Sequence, residues 1–179
     1  DDFYGAGTYR ILADWIGQSR PRSEHALVSF ALQTTLSPAG PVNRGICDVD
    51  EGGRLRGIRE VLEIVGTNGD ARYPDPSGRP VPLAGQTPVS LNFWGFGPEL
   101  LPALESSFES FLAEHGTSTT AELFLPAIVQ TLIDRGEARV RVLPGGGPWA
   151  GLTYPEDRPH LVAVLDEQTA RGTYPRDLW

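Results

Sequence analysis

Lysine is missing from this chain: all 15 of its basic residues are arginine. Chemistry that needs a flexible ammonium group must therefore come from residues outside it. Methionine is missing as well. The chain opens on Asp1, Asp2, Phe3 and Tyr4, with no cationic segment leading into an apolar one. These features predict a fragment with no visible signal peptide, whose first residues are the end of a strand. The one cysteine, Cys47, excludes an internal disulfide and a cysteine-based zinc site, and fits a reducing cytoplasm. No apolar run approaches the length of a membrane span. Positive charge is scarce, since 23 acids outnumber the arginines and leave a net charge of −8. Such a chain has no general attraction to nucleic acid or to anionic lipid.

What is present suits one folded domain. A length of 179 residues, with 40% hydrophobic, supports a full core. Helical spacing runs from Thr8 to Gly17, where Tyr9, Leu12, Trp15 and Ile16 share a face. His25–Leu32 reads as a buried strand. Gly45–Val49 and Arg54–Ile64 flank Asp50-Glu51-Gly52-Gly53 as the two arms of a hairpin. Gly66–Gly85, rich in Gly, Pro and Asp, predicts a surface insertion. Thr87–Phe96 is another strand, and Pro98–His115 a helix with the apolar stripe Leu100, Leu101, Leu104, Phe108, Phe111 and Leu112. A helix over Thr120–Arg135, capped by Thr119 or Thr120, leads to a half-exposed strand at Ala138–Leu143. The Gly-rich loop Pro144–Pro148 and a helix over Pro159–Arg171 complete an alternation of strands and helices that predicts an α/β sheet domain.

Several residues invite a chemical reading. Asp1 and Asp2 at the carboxyl end of a strand stand where open α/β sheets bind ligands, and could hold Mg²⁺. On spacing alone, a solvated acidic turn or a helix cap accounts for them better. Asn92 interrupts an apolar strand and needs a hydrogen-bond partner, from backbone or from ligand. Glu60 reads as an exposed strand acid. Glu122, placed in the first turn of its helix, suits the helix dipole. Gly145-Gly146-Gly147 has neither a following Lys nor dinucleotide spacing and reads as a flexible turn. His25, His115 and His160 lack metal-ligand spacing, and Ser29 and Ser90 lack a glycine-flanked elbow.

The order of these segments carries a family resemblance. Asp1-Asp2-Phe3-Tyr4-Gly5 resembles the central strand end of the sugar-phosphate nucleotidyltransferases. Gly45-Ile46-Cys47-Asp48-Val49-Asp50, then Gly53-Arg54-Leu55 and Ile58-Arg59-Glu60, resembles the Gly, hairpin and strand Glu of that family. Ser90-Leu91-Asn92-Phe93-Trp94-Gly95-Phe96 is similar to its sugar-contacting strand, and Ala121-Glu122-Leu123-Phe124-Leu125-Pro126 to its helix start. The span from Trp149 to Asp157 falls where the second metal ligand belongs. The resemblance covers nearly the whole chain as the C-terminal two thirds of such a catalytic domain. It implies a Rossmann-like mixed sheet with flanking helices, of the nucleotide-diphospho-sugar transferase type, lacking the N-terminal nucleotide-binding strands. The sheet edge left unpaired would invite self-association into a homo-oligomer.

The resemblance further implies Mg²⁺ on Asp1 and Asp157, with Glu156 the rival of Asp157, and a catalytic role for Asp1 and Asp2. Gly45, Glu60, Asn92 and Glu122 would bind substrate. The partners would be a nucleoside triphosphate and a sugar phosphate, with no nucleic acid or membrane, and the compartment the cytoplasm. The chain departs from the family pattern in three places, one being that Pro155-Glu156-Asp157 does not reproduce the usual sequence around the second metal ligand. The Gly-rich loop that precedes the Asp strand is absent, and Glu63 follows the strand Glu where a Lys is usual. Two alternatives therefore stand beside the enzyme: a cytidylyltransferase acting on a phosphorylated alcohol such as phosphocholine, and a non-catalytic remnant that binds a sugar or a protein. The absent loop and lysine favour the remnant for this chain as given, and the acids retained at both metal positions favour the nucleotidyltransferase for the parent protein, with this fragment inactive alone.

Overall fold

A computed structural model describes residues 2–67 and 70–177. In chain order the elements are β1 (Asp2–Phe3), α1 (Gly5–Ile16), β2 (Glu24–Ala31), β3 (Val42–Val49), β4 (Leu55–Thr67), β5 (Asp70–Pro74), β6 (Pro80–Ala84) and β7 (Pro88–Gly95). They are followed by α2 (Leu100–His115), α3 (Leu125–Asp134), β8 (Arg139–Pro144), β9 (Ala150–Gly151) and α4 (Arg158–Ala170). Seven strands form one sheet in the order β6-β5-β4-β3-β7-β2-β8, and β1 pairs separately with β9. Among the described residues β2 and β8 run parallel, and the other pairs are antiparallel. The sheet curls: Val142 donates its N–H to the Gly53 carbonyl at 2.9 Å, which draws the β8 edge onto the β3–β4 turn. The fold is thus mixed α/β, a curled mixed sheet with flanking helices.

Strand β2 lies next to the β8 edge of the sheet, between β7 and β8, and both of its faces are covered. His25 through Phe30 are all buried, which is why the segment is nearly continuously apolar instead of alternating. Ala26, Val28 and Phe30 meet Leu12 and Trp15 of α1 in one core. Leu27 faces the other way, towards Cys47, Ile58, Val129 and Val140. Helix α3 covers that second face through Val129, with Leu125 and Ile133 beside it, and turns Ile128 and Leu132 towards Leu100 of α2 and Ala138.

Three expectations are corrected. On α1 the buried side is Thr8, Leu12 and Trp15, whereas Tyr9 and Ile16 are more than half exposed. Within the expected surface insertion, β5 and β6 extend the sheet, with the Asp75–Gly78 turn between them. Pro80 and Pro82 on β6 deprive that edge of N–H donors, a common protection against strand addition. Helix α3 begins at Leu125 and not at Thr120, so Glu122 lies in the exposed stretch before it. Pro126 explains this. In a longer helix its ring would clash with the carbonyl four residues back, whereas the first turn tolerates it. Finally, Leu100 alone is buried on α2, and Leu101, Phe108 and Leu112 of the expected stripe face solvent. No described helix is long and apolar enough to cross a membrane.

Candidate functional site

Three strands set the floor of a small cleft. Glu60 on β4 pairs with Gly45 on β3, and Gly45 pairs with Ser90 on β7, so the three residues stand in one row across the sheet. A side chain at Gly45 would be crowded. A Cβ at that position would lie 3.1 Å from Ser90 Cβ and 3.2 Å from Ile58 Cδ1. Without it, the row stays open in the middle.

Asn92 reaches the same place through a bulge. Leu27 faces Trp94 and Ser29 faces Ser90, so β7 spends Leu91, Asn92 and Phe93 where β2 spends Val28 alone. The extra residues put Asn92 in the left-handed region, with φ 59°. Asn is one of the few side chains that accept this conformation, and bulges of this kind re-aim a side chain beside binding sites. The Asn92 N–H donates to Ser90 Oγ at 3.1 Å, and its Oδ1 accepts from Trp94 Nε1 at 3.4 Å. The polar residue that broke the apolar pattern is thus partly satisfied by its own strand, while the residue itself is exposed.

Asp2 closes the cleft from above. It pairs with Gly151 of β9, so the stretch after the Gly-rich loop lies against the start of the described chain. The Gly-rich loop itself packs backbone to backbone on α1, where a Cβ on Gly7 would fall 2.1 Å from the Gly146 carbonyl. Tyr4 Oη donates to the Leu91 carbonyl at 2.6 Å and leans on Asp2 Oδ2 at 3.1 Å. Burial, and then the neighbouring Asp2 charge, push the Tyr4 phenol well above its ordinary value, so it stays a donor. Asp2, Asn43, Arg44, Gly45, Glu60, Ser90, Leu91 and Asn92 line a cavity of about 130 Å³. Burial raises the Glu60 carboxyl above the usual range, and the Arg44 charge opposes that rise.

Arg44 was not among the residues singled out from the sequence. It is 8% exposed, and it donates from Nε to Thr35 Oγ1 at 3.1 Å, from Nη1 to the Asn43 carbonyl at 2.7 Å, and from Nη2 to the Thr35 carbonyl. Desolvation lowers its pKa, opposed by Asp2, Glu60, Asp157 and Tyr4. A signal for it existed in the sequence. Val42, Arg44 and Ile46 alternate along one side of β3, and an arginine between two aliphatics at period two is placed to be buried.

Beyond Arg44 lies a second cavity of about 330 Å³, whose wall includes Gln33, Ser37, Trp149, Thr153, Glu156, Asp157 and His160 besides Arg44 itself. Asp157 is buried, and its carboxylate is engaged. Oδ1 accepts from Ser37 Oγ at 2.7 Å, and Oδ2 accepts from the N–H groups of Thr153 and Tyr154 at 3.2 and 2.9 Å. It holds a single 3₁₀ turn, Pro155–Asp157, ahead of α4. Tyr154 ties this turn to the loop before β3 by donating to the Pro41 carbonyl at 2.7 Å.

The structure therefore brings together Asp2, Gly45, Glu60 and Asn92, and places Asp157 and Glu156 across Arg44 from them. Glu122 lines neither cavity. Asp1 lies outside the described residues. Among the described residues no group of three or more His, Cys, Asp or Glu side chains is placed to hold a metal ion. A hard cation that keeps its waters and substrate oxygens needs only one or two carboxylates, and Asp2 meets that requirement better than Asp157, whose oxygens already have three donors. No protein-family model matches this sequence, and no curated protein matches it. The reading of the site thus rests on its chemistry.

Proposed function

We propose that the cleft is the acceptor site of a sugar-phosphate nucleotidyltransferase. One observation carries this. Gly45, Glu60 and Asn92, distant in sequence and chosen for their likeness to the sugar-contacting positions of that family, line one cleft together with Asp2. Its polar groups suit sugar hydroxyls: a carboxylate that accepts, an amide that donates and accepts, a serine hydroxyl, and a glycine that leaves room. Glu63, which stands where a lysine is usual, does not oppose the reading. Leu62 and Glu63 together oppose Asn43 in a second bulge, and Glu63, with φ 56°, is exposed and outside the cleft.

In the reaction proposed, an oxygen of the sugar-1-phosphate attacks the α-phosphorus of a nucleoside triphosphate. A new P–O bond forms, the α–β bridging P–O bond breaks, and pyrophosphate leaves. Such transfers need little covalent work from the protein and depend on positioning and charge neutralisation. Mg²⁺ held by Asp2 would supply part of that neutralisation. Glu60, Asn92 and the backbone at Gly45 orient the sugar so that its phosphate projects towards Arg44. No described residue is assigned to the nucleotide base, so the test on this chain is binding and not turnover. Titration calorimetry with a panel of sugar-1-phosphates should detect saturable binding that Asn92→Gly weakens. Absence of binding by every sugar phosphate would remove the proposal.

A further inference from the structure

Arg44 presents an electrostatic problem that the cleft alone does not solve. It is more than nine-tenths buried, yet no described acid lies within salt-bridge distance of it. Its three hydrogen bonds go to two carbonyls and a hydroxyl, all neutral. A guanidinium has five N–H donors, so two remain unused. Buried charges are ordinarily paired, because desolvating one without a counter-charge costs several kcal/mol. Asp2, Glu60 and Asp157 act on it only from a longer range. The Thr35 contacts hold the guanidinium in place from beneath, as a preformed receptor would require.

A second orphan donor lies beside it. The Trp149 ring centroid is 5.3 Å from the Arg44 guanidinium carbon, and its Nε1–H is buried with no partner. Both residues line the 330 Å³ cavity, which is of the size of a small ligand site. Of the two acids on that wall, Asp157 is occupied by Ser37, Thr153 and Tyr154, and Glu156 stands exposed. The chain has no lysine, and Arg44 is the one arginine that lines either cavity among the described residues. An anion with several acceptor oxygens would satisfy the spare guanidinium hydrogens, with the Trp149 ring as the adjoining wall.

We infer that Arg44 and Trp149 form a phosphate-binding subsite in the larger cavity, directly beside the sugar cleft. Arg44 belongs to both compartments, so a ligand whose hydroxyls lie against Asn92 places its phosphate on the Trp149 side. The inference rests on the reading above only for which molecule carries the phosphate. The subsite itself follows from a buried cation on the cavity wall that no described acid pairs.

The test uses inorganic pyrophosphate as the probe and the indole ¹H–¹⁵N resonance of Trp149, assigned by its loss in Trp149→Phe, as the readout. Pyrophosphate should shift that resonance saturably, and glucose should not. Arg44→Gln should weaken pyrophosphate binding about 10- to 150-fold, the loss of a charge-assisted hydrogen bond. The indole titration on the unaltered chain needs no arginine variant, so a folding defect in Arg44→Gln leaves the inference testable. An unmoved Trp149 resonance, a shift with choline in place of pyrophosphate, or full affinity in a folded Arg44→Gln would each overturn it. A sugar-1-phosphate that moves Trp149 and loses affinity in Asn92→Gly identifies the sugar phosphate as the source. A nucleoside triphosphate that moves Trp149 regardless of Asn92 identifies the triphosphate. If Trp149 responds to phosphate while Asn92→Gly leaves sugar-phosphate affinity unchanged, the subsite stands and the sugar reading falls.

Discussion

Replacing Asn92 separates a backbone role from a ligand role, because two substitutions affect them differently. With φ 59°, the residue occupies a conformation that ordinary L side chains resist. Alanine in the left-handed region is strained by about 1–2 kcal/mol. Asn92→Ala also removes the acceptor for Trp94 Nε1, a long contact at 3.4 Å that contributes little. Asn92→Ala should therefore lower stability by about 1–2 kcal/mol, or roughly 2–8 °C in Tm for a chain of this size. Glycine adopts the same conformation freely. Its greater loss of backbone freedom, about 0.5–1 kcal/mol, is offset by the relief of left-handed strain, so Asn92→Gly should leave Tm nearly unchanged. Both variants lose the amide that faces the cleft. If the amide makes one or two hydrogen bonds to a ligand, the loss is about 1–3 kcal/mol, or roughly 5- to 150-fold in affinity. The assay is calorimetric binding of a sugar-1-phosphate beside a thermal melt, for the wild type and both variants. The expected pattern is weakened binding in both and lowered Tm in Asn92→Ala alone. Wild-type affinity in Asn92→Gly, with Tm lost in Asn92→Ala, would show that Asn92 serves only the bulge and would refute the ligand role.

Gly45→Ala should destabilise by about 1–3 kcal/mol through crowding against Ser90 and Ile58, and Ile58→Val, which removes the Cδ1 atom at 3.2 Å, should restore part of the loss in urea melts. His25 is 2% exposed and accepts from the Gly97 N–H at Nδ1, 3.1 Å away. Burial holds its pKa below the ordinary 6.5. Its contribution is therefore complete above pH 6.5 and declines as pH falls through the lowered value. His25→Gln keeps an acceptor and should flatten that acid limb; an identical urea midpoint profile between pH 7.5 and 4.5 would disprove the assignment. Asp157→Ala should cost about 1–3 kcal/mol by leaving Ser37 and two backbone N–H groups unpaired, with the loss visible in a metal-free thermal melt. Unchanged Tm together with lost Mg²⁺ binding would return Asp157 to the role of metal ligand.

Local pattern alone decided much of this molecule. The continuous apolar run through β2 could be satisfied only with both faces covered, and the Asp50–Gly53 turn could join its arms only as a hairpin. Asn92 was visible because a polar residue in an apolar strand demands an explanation. Other features depended on residues far apart in the chain. Whether Leu101, Phe108 and Leu112 are buried depends on what packs over α2, and helical spacing carries no information about that neighbour. The bulges at Glu63 and Asn92 arise from the register between strands, which is a property of pairs. Nothing local in sequence marks Asp157 as engaged, because one of its donors, Ser37, lies 120 residues away. Arg44 shows the division most clearly. Its alternation with Val42 and Ile46 placed it towards the interior, but only the folded chain shows which acids stay out of its reach. Periodicity determines which way a side chain points, and the charge and hydrogen-bonding groups that meet it there are brought by the tertiary fold.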